Sequence, residues 1–180
     1  MSEKKSTRYE RELTLALRKH FTEHEVISQW RTSKDASDAF KRDKKLYAPR
    51  PDIGVGPFSI TDGNKYQEIV KRFDNCTPRG LKERLRSLER NKNPRCLFSI
   101  EIACSGSTKH ILGDITNASM MGLYGLVVVE KGSASESKAR RVLRFLKKIK
   151  EVKLPTGPTT LPLFDNVEIL GIEEILGLLV

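Results

Sequence analysis

The sequence is poor in residues that make covalent or metal cross-links. Only three cysteines occur in 180 residues, Cys76, Cys96 and Cys104, and none falls in a Cys-x-x-Cys spacing. Neither a zinc ribbon nor a disulfide framework is supported by that pattern. The three histidines (His20, His24, His110) and the single tryptophan, Trp30, show no ligand spacing either, which speaks against a zinc site. No apolar run approaches the ~20 residues needed to span a bilayer. No Walker A or dinucleotide glycine pattern is present, which argues against a nucleotide-driven enzyme. Internal repeats and low-complexity tracts are also missing. The opening MSEKKSTRYERE is charged and has no apolar signal core. Together these absences set the expectation of a reduced, cytoplasmic protein without a membrane partner.

Positive charge, by contrast, is abundant. Lysine and arginine number 33 against 23 aspartate and glutamate, giving a formal net charge of +10 and a pI near 9.6. Such a field favours a polyanion, nucleic acid before an anionic membrane face. Hydrophobic residues make up 38% and fall in discrete runs, so the chain is not mostly disordered. Its length suits one domain. A core of that size buries roughly 70% of the unfolded surface without needing a disulfide or structural metal.

Periodicity divides the chain into elements. Residues 7–21 read as an amphipathic helix with Tyr9, Leu13, Ala16, Leu17 and Phe21 on one stripe. Ser6 or Thr7 can cap it, with Glu10 completing a capping box from Thr7. Residues 25–31 predict a short strand, and 32–48 a polar connection. The segment 49–60 (PRPDIGVGPFSI) predicts a strand entered through a proline-set turn. Residues 64–74 and 78–92 predict helices, the second ended by Asn93-Pro94. The clearest strand is 95–104 (RCLFSIEIAC). A Ser-Gly-Ser turn then leads to a helix at 107–121, followed by a strand buried on both faces at 123–129. A basic helix is predicted at 134–150 with Val142, Phe145, Leu146 and Ile149 inward. A loop at 154–166, a strand at 167–170 and an apolar terminal helix complete the chain. Strand, helix, strand over 95–129 is a βαβ unit. The class expected is α/β, bordering on α+β, with a central mixed sheet flanked by helices.

Three acids stand out by position. Asp52 sits in a Pro-Asp dipeptide at the mouth of a strand, Glu101 interrupts an apolar strand, and Glu10 borders the apolar stripe of the first helix. A carboxylate in such a strand is costly unless paired, solvated or bound to a cation. Two carboxylates from adjacent strands can hold a hard divalent ion. Plainer readings stay open at this point: Glu101 on a solvent face with Ser99 and Ala103, Asp52 as a turn residue, Glu10 as a cap.

The order of these pieces resembles the PD-(D/E)XK, or restriction-endonuclease-like, nuclease superfamily. Its pattern is a helix bearing an acid, a Pro-Asp strand, a strand bearing Glu-x-Lys, then a helix and a further buried strand. Here the matching pieces are Glu10 in YERELTLAL, Pro51-Asp52 in PRPDIGVG and Glu101 in FSIEIAC. The first helix is similar to that of archaeal Holliday-junction resolvases. The resemblance spans about residues 7–130 and implies a restriction-endonuclease-like core with a helical insertion at about 62–94. A basic helix and C-terminal extension follow at about 132–180. It further implies a Mg2+ (or Mn2+) ion held by Asp52, Glu101 and the Ile102 carbonyl, with Glu10 assisting through water. Two departures are plain. Ala103 occupies the lysine position, and 49 residues separate Asp52 from Glu101. In some members the basic residue migrates to the following helix, where Lys109 is the candidate, His110 its competitor and Asp114 an extra acid.

The implied function is a Mg2+-dependent DNA endonuclease, restriction-type or structure-selective, acting on duplex or branched DNA as a homodimer. Arg140, Arg141, Arg144, Lys147 and Lys148 on the basic helix, with Lys138 beside them, are candidate phosphate contacts. Arg84, Arg86 and Arg90 form a second candidate group. The alternatives are a catalytically silent relative that binds nucleic acid, favoured by Ala103, and a protein-interaction module using the tail GIEEILGLLV.

Overall fold

The computed structural model describes residues 3–30, 49–59, 65–149, 151–154, 157–160 and 163–180. The polar connection predicted at 32–48 lies outside them. In chain order come α1 (Lys5–Leu17), β1 (Val26–Ser28), β2 (Ile53–Val55), α2 (Tyr66–Cys76) and α3 (Arg79–Leu85). Then follow β3 (Cys96–Ile102), α4 (Thr108–Met121), β4 (Gly122–Val129) and α5 (Ala134–Ile149). The chain closes with β5 (Glu151–Leu154), β6 (Gly157–Thr160), β7 (Val167–Gly171) and α6 (Ile172–Leu178).

β3 and β4 are buried along their whole lengths, as near-continuous apolar strands at the centre of a sheet should be. The order across the sheet is β1-β2-β3-β4-β7. β1, β2 and β3 pair antiparallel, whereas β3, β4 and β7 pair parallel. Helices cover both faces. Tyr9, Leu13 and Leu17 of α1, Ile69 and Phe73 of α2, Leu81 and Leu85 of α3, and Ile172 and Ile175 of α6 pack with Phe98, Ile100 and Leu126. On the other face Ile111, Ile115 and Ala118 of α4, with Ala139, Val142 and Leu146 of α5, pack against Val127, Val129 and Ile169. The mixed α/β architecture is therefore the one expected from sequence.

Several boundaries differ from those expected. α1 begins at Lys5 and its N-cap makes no side-chain hydrogen bond, so the Thr7–Glu10 capping box is not formed. It ends at Leu17, and Phe21 reaches the core from the turn beyond. The helix expected over 78–92 stops at Leu85. The loop expected at 154–166 includes β6, which pairs with β5 as an antiparallel hairpin. On α5 the inward residues are Ala139, Val142, Leu143 and Leu146, while Phe145 and Ile149 are more than half exposed. The stripe on α5 therefore runs through Ala139 and Leu143 rather than Phe145 and Ile149.

Candidate active site

β2 and β3 run antiparallel with Ile53 opposite Ile100 and Gly54 opposite Ser99. The next pair outward is Asp52 and Glu101, and directly opposed residues share a face of the sheet. α4 covers that face and brings Asp114 and Asn117 to bear on Glu101, while His110, one turn before Asp114, is exposed. The interruption in the apolar strand is therefore not a solvent-facing residue. Glu101 is only 5% exposed, and Ser99 and Ala103 beside it are buried as well. That overturns the plainer reading of Glu101, because the helix expected after β3 closes over the very face the alternation left open.

The electrostatics follow from this crowding. Burial first, then the negative charges of Asp52 and Asp114, push the Glu101 carboxyl up to about 9. Hydrogen bonding from the Asn117 side chain and the Asp52 backbone opposes the rise. Glu101 Oε1 is buried and has no hydrogen-bond partner among the described residues. Asp114, half-buried, is raised to about 6 by burial and by Asp52, with His110 acting against it.

Asp52 is held from both sides. Its Oδ2 accepts the Ile102 backbone N–H at 2.8 Å, and its Oδ1 accepts the Gln29 side-chain amide at 2.9 Å. The same Gln29 amide reaches Glu10 Oε2 at 3.2 Å, while Ser28 Oγ donates to Glu10 Oε1. Glu10 is thereby tied to Asp52 through one shared amide, not through a helix cap. Gln29 Oε1 accepts from Arg50 at 2.6 Å, and the Gln29 backbone N–H donates to the Asp52 carbonyl at 2.6 Å. Gln29 holds this position with φ of 50°, a left-handed conformation that residues other than glycine adopt uncommonly. Such strain gathers at functional sites. Reading the sequence missed Gln29; an amide in the turn just past the three-residue strand β1 carries no periodic signal.

The two candidate basic residues, Lys109 and His110, are neighbours in the first turn of α4. Ser107 caps α4 and its hydroxyl lies 3.4 Å from His110 Nδ1. His110 is electrostatically coupled to Asp114. Lys109 is exposed in the first turn of α4 and makes no hydrogen bond or ion pair among the described residues. It does not reach the carboxylates in this arrangement. Ala103, at the family's lysine position, is 1% exposed and packs against α4 and α5. Of Ile102, it is the N–H that is tied to the site.

Among the described residues no three His, Cys, Asp or Glu groups stand close enough to form a ready-made metal cage. The candidate basic residues are distributed more widely. Arg141, Arg144 and Lys148 are exposed on α5, Lys147 is half-buried there, and Arg140 pairs with Glu136 at 2.8 Å. Lys138 donates to the Gly106 carbonyl at 3.2 Å, next to the turn that starts α4. Arg84 is taken up by Glu168 at 2.8 Å and Glu174 at 3.5 Å, so it braces α6 and β7. Arg86 is exposed.

Known proteins add nothing. No family model, curated protein or solved structure matches the chain. Among the described residues no helix is long and apolar enough to cross a membrane.

Proposed function

We propose that the chain is a Mg2+-dependent DNA endonuclease of the PD-(D/E)XK kind. One observation carries the reading: a buried glutamate, Glu101, with an orphaned oxygen, set opposite Asp52 and beside Asp114. A buried carboxyl crowded by two others either keeps a proton or takes a cation. All the donors are hard oxygens, which suits Mg2+ or Mn2+. Asp52, Glu101 and the Ile102 carbonyl would hold the ion. When bound, such an ion lowers the pKa of a water and stabilises charge on a phosphoryl group.

The remaining steps belong to the chain. Gln29 and the Ile102 N–H fix the Asp52 carboxylate, and Glu10 is positioned through the same amide. His110, steadied by Ser107, can take the proton of an attacking water. Lys109 is free to swing toward the negative charge that grows on phosphorus, where one donor is worth about 100- to 1000-fold in rate. DNA would lie along the exposed Arg141, Arg144 and Lys148 of α5. Cutting both strands of a duplex calls for two such sites, which a homodimer supplies. Cys76, Cys96 and Cys104 are free thiols, in keeping with a reducing cytoplasm.

A second reading, a silent relative that binds nucleic acid without cutting it, is favoured by Ala103 and by the distance of Lys109 from the acids. The interaction-module reading loses its footing, since Ile172, Ile175 and Leu179 of the tail are buried in the chain's own core. Supercoiled plasmid and branched DNA, incubated with protein and Mg2+ or Mn2+, test the reading beside an Asp52→Asn control. Metal-dependent cleavage that the variant lacks supports the nuclease. Salt-sensitive binding with no cleavage leaves the silent relative, and cleavage persisting in the variant removes Asp52 from the site.

A further inference from the structure

A well-formed cleft lies away from the carboxylates. It measures about 710 Å3 and opens between α2, α3 and residues 86–92, with Phe73 and Tyr124 at its floor. Tyr124 is near the start of β4, opposite Phe98, and packs on the α2 face of the sheet. Glu101 is three residues further along β3, on the α4 face. The cleft and the acids therefore occupy opposite faces.

Arg90 is built into this cleft. Its guanidinium lies 5.4 Å over the Phe73 ring, its Nε donates to the Tyr124 hydroxyl at 3.1 Å, and one terminal nitrogen is 3.4 Å from Asp74. A guanidinium stacked and tethered in this way loses little freedom when it binds an anion, and its other terminal nitrogen keeps its donors. Two exposed cations flank it. Arg86 makes no ion pair among the described residues, and Lys92 leans over the Tyr66 ring at 6.0 Å. Arg79, by contrast, is neutralised by Glu83 at 2.7 Å. The cleft thus sets one tethered guanidinium and the cations Arg86, Lys92 and Lys82 above an aromatic floor, against the carboxylates of Asp74 and Glu89.

We infer that this cleft holds a phosphate group, supplied by a nucleic-acid strand. It rests on the reading above only for the source of the phosphate, and it requires nothing of the carboxylates. The cations would neutralise the phosphate while Arg90 fixes its position. A duplex engaged here and at α4 would meet the protein on two faces, which favours bent or branched DNA over a straight rod.

Metal-free protein titrated with inorganic phosphate, a nucleoside monophosphate and a short DNA duplex, followed by NMR, tests the inference. The duplex is expected to shift the Arg90 Nε–H and Tyr124 amide signals. The double variant Arg86→Glu, Lys92→Glu should bind it roughly a hundredfold more weakly, the scale of two lost charge-assisted hydrogen bonds. Lys71→Glu, an exposed residue of α2 that lines a different groove, should leave binding unchanged. Monophosphate binding as tightly as duplex would keep the cleft as a phosphate site and overturn DNA as its source. No shift at Arg90 with any of the three, or equal weakening by Lys71→Glu, overturns the site itself. Because no metal is present, failure here leaves the nuclease reading to the cleavage assay, and failure there leaves the cleft standing.

Discussion

Glu101 couples its protonation to folding. In the folded chain it keeps a proton up to about pH 9, whereas an unfolded glutamate releases it in the ordinary carboxylate range. The folded state therefore binds the extra proton between those limits. Stability without metal is full below the ordinary glutamate range and is lost as pH rises through about 9. Asp114 adds a smaller loss of the same sign up to about 6. Denaturant midpoints measured across this range should fall with pH, and Glu101→Gln should flatten the fall. A slope unchanged in that variant would assign it to other groups. Gln29 gives a second test. Gln29→Gly suits the left-handed backbone but removes the amide between Glu10 and Asp52, so Mn2+ affinity should drop roughly 10- to 100-fold while the fold is kept. Undiminished affinity would make the amide merely structural. At this scale Glu101 stood out as a charge in an apolar strand, while the grouping of Glu10 and Asp52 with it was expected from the family resemblance. Gln29 and Asn117 were not legible, since an uncharged amide breaks no pattern.

At the scale of elements, the long apolar segments were the readable ones. β3, β4 and α4 follow from alternation, from a continuous apolar run and from a Ser107 cap. What failed were ends and short pieces. α1 starts at Lys5 without a side-chain cap, α3 ends at Leu85, and the β5–β6 hairpin lies in a Pro- and Gly-rich stretch whose pairing no periodicity announces. The βαβ unit itself depends on one close approach. A Cβ added at Gly125 would stand 2.6 Å from the Ala118 backbone, so α4 can seat on β4 only with glycine there. Gly125→Ala should cost about 1–3 kcal/mol, as overpacking does, read as a lower melting temperature. Because α4 carries His110 and Asp114, the same variant should also weaken Mn2+ binding. A variant as stable as the parent would mean that the helix is loosely seated.

For the whole molecule, the sign of the charge was legible and its purpose was not. The net charge of +10 is a sum, whereas what it does depends on which cations stay uncommitted. Arg84 and Arg140 are used in ion pairs, while Arg86, Arg141, Arg144 and Lys148 face solvent. If six to ten phosphates are engaged, DNA affinity should fall roughly 10^3- to 10^5-fold between 50 and 200 mM salt. A flat salt response in a binding titration would argue against an electrostatic interface. The nuclease proposal stands only if Asp52 and Glu101 share an ion. Crystals soaked in Mn2+, with anomalous difference maps compared for parent and Glu101→Gln, address that directly. Shared coordination predicts one peak within bonding distance of both Asp52 and Glu101, absent in the variant. A map with no peak there at saturating Mn2+, or with the peak retained in Glu101→Gln, would contradict it.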